Sequence, residues 1–263
     1  MIDQDIQKGF TNTITKDSYG GIVFCGINWG AEDEKENSIK LKEQLSDSEK
    51  SAPIAYFTSP INRAYKYQSS IIKWFRLWGH NLKAYDYGSD EDYLWCQRGQ
   101  FKLEKCLSQT NVFLDSSPTA NCIGRTAKDY NQAFERLARD MRLINPSLII
   151  FFSTDIFFQW LSYLLHDDKQ TWKDIAGYVH NRSVHSYGTH VFFDKKNKGN
   201  YFTLYEFWAH RGGSTRVIAL NHPASRGKTD SSIASAGKMM RKYIKEALCE
   251  YDRRQITVPE TIL

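Results

Sequence analysis

Two short apolar runs in this sequence each lead into a turn whose side chains could take part in chemistry. Residues 22–25 are followed by a Gly-Ile-Asn-Trp-Gly turn that contains Asn28, and residues 217–220 are followed by an Asn-His-Pro turn that contains His222. An amide can hold a water molecule, and an imidazole can donate a hydrogen bond to a developing negative charge. Strands of one parallel sheet bring such turns into the crevice where these sheets bind ligands. We therefore predict that Asn28 and His222 face the same ligand.

The segments around these turns alternate between strand and helix patterns. Strands are predicted at residues 22–25, 111–114, 147–152 and 215–220. Helices are predicted at residues 67–78, 92–106, 130–143, 156–165 and 231–251. Alternation of this kind favours a mainly parallel sheet. We therefore predict an α/β fold, as a single α/β/α sandwich with a central, mainly parallel four-stranded sheet plus an inserted hairpin.

Residues 1–263 are predicted to form one domain, because the sequence contains no internal repeat, low-complexity segment or clear linker. The polar residues 1–20 are predicted to form an N-terminal arm or a first helix. Residues 31–70 begin with a charged stretch and are predicted to be an insertion near the mouth of the pocket. Residues 190–207 contain two strand-like runs joined by Lys-Lys-Asn-Lys-Gly, which is typical of a hairpin, and form a second predicted insertion.

The composition is that of a soluble globular protein, with 41% hydrophobic and 25% charged residues. The formal net charge of +5 permits nucleic acid as a partner without requiring it. Residues 226–254 contain eight Lys and Arg against four Asp and Glu. This segment is either a surface that meets phosphate groups or an ordinary solvated helix face, and the sequence leaves both interpretations open.

The five cysteines form no Cys-x-x-Cys pair and no zinc-like spacing with histidine. Their odd number favours reduced thiols, as in cytosolic proteins. The first residues lack the pattern of a signal peptide, and the apolar segments 148–152 and 156–165 are separated by Ser-Thr-Asp. We therefore expect a cytoplasmic protein with no metal, no cofactor and no membrane contact.

A third polar residue, Asn111, lies at a predicted strand between the two turns. The three features in this order resemble the uracil-DNA glycosylase superfamily. Its members carry a first motif such as Gly-x-Asn-Pro-Gly, which corresponds here to residues 26–30. Their second motif, His-Pro-Ser-x-x-Ser or His-Pro-Ser-Pro-Arg-Asn, corresponds to residues 222–227. An asparagine between the motifs reads the base in that family, and Asn111 is the residue matched to it. The resemblance covers about residues 20–250.

The resemblance implies a monofunctional DNA glycosylase, which hydrolyses the N-glycosidic bond of a flipped-out base and leaves an abasic site. Positive charge then develops on the sugar and negative charge on the base. Asn28 would hold the attacking water and His222 would donate to the base, while Glu32, Asp33 or Asp115 remain alternatives for a carboxylate role. The base pocket is predicted to contain Gly26, Ile27, Trp29, Phe57 and Asn111, and the DNA contacts to come from Ser225, Arg226 and Lys228.

Two departures from the family motifs indicate a substrate other than uracil. Trp29 replaces the proline of the first motif, and Ala224 replaces the first serine of the second. With the insertions near the pocket mouth, these changes predict preference for a 5-substituted pyrimidine, such as a bulky modified base of phage DNA excised in antiviral defence. The alternatives are an ordinary uracil-excision repair enzyme, a non-catalytic nucleic-acid-binding module and a nucleotide-binding protein. The expected partner is single- or double-stranded DNA, with no obligate protein partner.

Overall fold

The computed structural model describes most of the elements that surround the two turns. The described residues are 9–10, 14–27, 47, 66–80, 82, 101–114, 125–154, 157, 184–193, 201–210, 214–223 and 229–258. Apart from Phe157, the predicted helix 156–165 lies outside these ranges, as do residues 31–65 of the first predicted insertion apart from Asp47. None of the helices in the described ranges is long and apolar enough to cross a membrane.

Within the described residues, six strands form one sheet in the order β2-β1-β3-β6-β5-β4. The strands are β1 (Ile22–Gly26), β2 (Leu107–Asn111), β3 (Leu148–Phe151), β4 (Val184–Phe193), β5 (Tyr201–His210) and β6 (Ser214–Leu220). The pairs β2-β1, β1-β3 and β3-β6 are parallel, whereas β5 is antiparallel to both β6 and β4. The prediction of an α/β fold with a mainly parallel sheet is confirmed.

The predicted number of four sheet strands is wrong, because the hairpin is part of the same sheet. Strand β5 pairs with β6 along its length, from Leu204 opposite Leu220 to His210 opposite Ser214. The backbone groups on the outer side of β6 therefore find their partners in β5, as buried peptide groups require. The hairpin strands are also longer than the predicted 190–207, since they cover residues 184–193 and 201–210.

The helices in the described part of the chain are α1 (Lys66–Leu77), α2 (Phe101–Lys105), α3 (Ala127–Ile144), α4 (Asp230–Ser235) and α5 (Gly237–Gln255). Helix α3 begins at a capping box formed by Thr126 and Asp129 and ends at Asn145, which has a φ of 47°. The predicted single helix 231–251 is divided into α4 and α5. The division lies where Gly237 packs against the end of α1, and where the Trp78 indole donates to the Ile233 carbonyl at 3.0 Å.

Residues of β1 alternate between two buried clusters, one on each face of the sheet. Val23 and Cys25 pack with α3, whereas Ile22 and Phe24 pack with α1 and α5. Phe10, in the predicted N-terminal arm, is buried against the α3 face. Burial of one large apolar side chain stabilises the fold by about 1.5–3 kcal/mol, so both clusters hold the helices firmly to the sheet.

Strand β2 begins four residues earlier than predicted and covers residues 107–111 instead of 111–114. Its sequence Leu-Ser-Gln-Thr-Asn has no apolar alternation, yet all five residues are buried. Pairing with β1 sets the register, with Leu107 opposite Ile22 and Asn111 opposite Gly26. Asn111 therefore lies at the C-terminal end of a strand and not at the start of one. This is the end at which ligands bind in parallel sheets.

Candidate functional site

Four parallel strands end along one edge of the sheet and bring distant parts of the sequence together. Gly26 ends β1 and is the direct neighbour of Asn111 at the end of β2. Phe152 follows β3 and donates its backbone N–H to the Cys25 carbonyl at 2.9 Å. His222 follows β6 by two residues. The two turns and Asn111 thus belong to the same end of the sheet.

Tyr67, in the first turn of α1, lies against the ends of three of these strands. Its ring centroid lies 5.8 Å from the His222 ring and 5.8 Å from the Phe152 ring. Its hydroxyl lies at the other side, 3.1 Å from the position that a Cβ on Gly26 would occupy. One side chain therefore connects the exits of β1, β3 and β6.

Gly26 leaves the space into which the Asn111 and Tyr67 side chains project. A Cβ at this position would lie 2.3 Å from the Asn111 Oδ1 atom, which is closer than such atoms can approach. The requirement for glycine is therefore one of space and close approach. It explains why a glycine ends β1 at this point.

For the base release that the sequence predicts, we expect Gly26→Ala to displace the Asn111 amide and to lower kcat/KM about 10²-fold, the loss that follows a misplacement near 1 Å. Gly237→Ala is the matched control, because its Cβ would lie 3.4 Å from the Leu77 carbonyl, an ordinary contact. The measurement is single-turnover base release for both variants. Wild-type rates for Gly26→Ala would show that Asn111 does not need its present position.

Asn111 is buried, with 3% of its surface exposed. Its backbone carbonyl accepts a hydrogen bond from the Arg136 Nη2 atom, and its side-chain Oδ1 atom lies beside Gly26. A side-chain amide offers one acceptor and two donors, which matches the polar edge of a pyrimidine. Asn111 can therefore recognise a ligand at the mouth formed by β1 and β2.

An ion pair on α3 holds the end of β2 in place. The Arg136 guanidinium contacts the Asp140 carboxylate at 2.8 Å, and it also donates to the Thr110 hydroxyl at 3.3 Å and the Val112 carbonyl at 3.1 Å. Asp140 is fully buried. Burial raises the pKa of Asp140, and the neighbouring Arg136 and Arg139 oppose that rise. The pair fixes the strand end from which Asn111 projects.

The two titratable groups nearest Gly26 are protonated at neutral pH. Burial is the main cause that raises the pKa of Tyr67 well above its usual value, with Cys25 adding to the rise. Burial also raises the pKa of the Cys25 thiol to about 12. Tyr67 is therefore a neutral hydrogen-bonding group, and Cys25 is a packing residue and not a thiolate nucleophile.

The His222 turn is held against the hairpin. The Asn221 side chain accepts a hydrogen bond from the Thr203 backbone N–H at 2.9 Å, and Pro223 is buried. His222 itself is half-buried beside Tyr67. Strand β5 thus helps to position the imidazole, which gives the hairpin a role in the geometry of the site.

Of the residues predicted from sequence for the site, four are described and share this edge. They are Gly26, Ile27, Asn111 and His222. The Ile27 side chain packs in the cluster on the α3 face, and its backbone carbonyl accepts from the Phe113 N–H at 2.9 Å. The remaining predicted residues lie outside the described ranges: Asn28, Trp29, Glu32, Asp33, Phe57, Asp115, Ser225, Arg226 and Lys228.

Sequence reasoning did not identify Tyr67 as a site residue. In the sequence it is only the first residue of an apolar helical pattern, and no motif marks it. Its place at the site results from the way in which α1 crosses the strand ends.

A shallow groove of about 720 Å³ lies at the opposite edge of the sheet, near Ser147 and the start of β6. Of the basic residues that line it, Arg216 is already paired with Glu206 at 3.0 Å and with Glu246. The groove belongs to this ion-pair network between β5, β6 and α5. It does not adjoin the edge that carries Asn111 and His222.

Within the described ranges, no cluster of three His, Cys, Asp or Glu side chains could hold a metal ion. No family model matches the chain, and no curated protein matches its sequence.

Proposed function

We propose that this protein is a monofunctional DNA glycosylase of the uracil-DNA glycosylase superfamily, acting as a single cytoplasmic domain on DNA. The observation that supports this most is the meeting of Gly26, Asn111 and His222 at one edge of a parallel sheet. These residues stand in the order of the first motif, the base-reading asparagine and the second motif of that superfamily. We also propose that the fold of this domain is an α/β/α sandwich.

Each polar group has a task in breaking an N-glycosidic bond. The departing base gains negative charge, and the His222 imidazole can donate a hydrogen bond to it. One donor of this kind stabilises a transition state by about 2.7–4 kcal/mol. Asn111 can pair with the polar edge of the flipped base, and Asn28 would hold the water that attacks the sugar. This chemistry calls on neither a metal ion nor a lysine nucleophile.

Binding to DNA would use the basic residues that follow the second motif. Ser225, Arg226 and Lys228 are proposed to contact the backbone of the strand, and exposed lysines of α5 would add long-range attraction. Arg254 is not part of this surface. It is 6% exposed, and its guanidinium donates to the Asn145 carbonyl at 2.6 Å and to the Pro146 carbonyl at 2.7 Å.

The substrate is proposed to be a 5-substituted pyrimidine, such as a bulky modified base of phage DNA. The change from proline to Trp29 and the loss of the serine at Ala224 alter a pocket that fits uracil closely in the superfamily. Because a close fit is what rejects other bases, a reshaped wall is expected to change which base fits best. Antiviral defence is the role that suits such a substrate.

Mass spectrometry of bases released from a panel of DNAs tests both parts of this proposal. We expect release of a 5-substituted pyrimidine with a higher kcat/KM than uracil, leaving an alkali-labile abasic site. Uracil released as fast as every other base would favour a repair enzyme. Salt-sensitive binding of DNA without release would favour a binding module, and tight binding of free mononucleotides would favour a nucleotide-binding protein.

A further inference from the structure

The Tyr67 hydroxyl is enclosed yet has no hydrogen-bond partner among the described residues. An unpaired enclosed hydroxyl destabilises a fold, and native proteins retain few such groups. The next residue of α1 shows the same feature. Gln68 is 4% exposed, its Nε2 atom donates to the Gln109 Oε1 atom at 3.4 Å, and its own Oε1 atom has no partner in the described part of the chain.

These unpaired atoms lie on the face of the sheet to which the Asn111 amide also belongs. Asn111 Oδ1 and the Tyr67 hydroxyl both lie within 3.1 Å of the position that a Cβ on Gly26 would occupy. A helix face with only a packing role would bury apolar side chains here. Polar groups that have no partner among the described residues indicate that a ligand supplies the missing partner.

We propose that Tyr67 is a specificity-determining residue whose hydroxyl donates a hydrogen bond to the oxygen at position 4 of the bound pyrimidine. The inference rests on the proposed function and adds a residue that selects a 4-oxo-pyrimidine over a 4-amino-pyrimidine. The hydroxyl has one proton to donate, and a carbonyl oxygen accepts it. An exocyclic amino group is itself a donor and would leave that proton unpaired.

The surroundings of Tyr67 suit this role. The phenol stays protonated at neutral pH, because burial raises its pKa. The ring remains partly exposed beside His222, so it lies next to the proposed position of the base.

Tyr67→Phe separates this role from a structural one, because it removes the hydroxyl and keeps the ring. We expect the ratio of kcat/KM for 5-hydroxymethyluracil over 5-hydroxymethylcytosine in matched oligonucleotides to fall about tenfold, the effect of one neutral hydrogen bond. The melting temperature should stay unchanged or rise by about 2–4 °C, because an unpaired polar group is lost. An unchanged ratio, or a lower melting temperature, would overturn the inference.

Tyr243→Phe is the matched control. The Tyr243 hydroxyl donates to the Glu206 carboxylate, far from the crevice, so its loss should lower the melting temperature and leave the base ratio unchanged.

If the wild-type protein releases no base at all, the proposed function fails, and free uracil and cytosine then serve as probes in a thermal-shift assay. Stabilisation by uracil that Tyr67→Phe removes would still support the inference. Equal responses of the two proteins would overturn it.

Discussion

Replacement of Arg136 by methionine is expected to lower the free energy of unfolding by about 3–5 kcal/mol, the loss seen when one partner of a buried ion pair is removed. Asp140 is fully buried and would keep a charge without its main partner. The carbonyls of Asn111 and Val112 would lose their donor as well. Urea unfolding measures the change, and the same variant should release base more slowly, because the end of β2 is no longer held.

Arg139→Met is the control for this prediction. Arg139 contacts the same Asp140 carboxylate at 3.2 Å, but half of its side chain is exposed. Exposed ion pairs contribute about 0–1 kcal/mol, so this variant should unfold near the wild-type urea concentration. Equal destabilisation by both substitutions would show that the contacts of Arg136 with the end of β2 add nothing to the free energy of unfolding.

His222→Ala is expected to slow single-turnover base release by about 10²–10³-fold, since one donor to the departing base is lost. Binding to substrate DNA should change little, because phosphate contacts provide most of the affinity. His190→Ala is the control, as this histidine lies on β4 and contacts Glu206 at 3.4 Å. A His222→Ala variant with the wild-type rate would remove the imidazole from the mechanism.

The helices that could be predicted from sequence are those with a clear amphipathic pattern. Residues 67–78 and 130–143 were predicted as helices, and α1 and α3 lie at residues 66–77 and 127–144. Their apolar stripes face the sheet, so the pattern of burial and the pattern of sequence agree. The division between α4 and α5 could not be read in this way, because it depends on the contact of Gly237 with α1.

Strand β2 shows why the sequence pattern predicts the position of Asn111 in its strand incorrectly. Four of its five residues are polar, and an alternation of apolar residues is the signal by which strands are recognised. Its polar groups are buried because tertiary partners satisfy them, as when the Thr110 hydroxyl donates to the Gly9 carbonyl. Asn111 could be matched by its motif. Tyr67 could not, since its role arises from the docking of a helix across strands that are distant in sequence.

Strand β1 lies between β2 and β3 in the sheet but is synthesised long before either of them. Its partners for Ile22 are Leu107 on one side and Leu148 on the other. At translation rates of about 5–20 residues per second, the apolar residues 22–25 remain without β3 as a pairing partner for on the order of ten seconds. An apolar strand with two open edges can pair with other chains during that time. Rapid overexpression increases the number of unfinished chains in which β1 is unpaired, so it should favour inclusion bodies. Slower synthesis at low temperature should favour native protein.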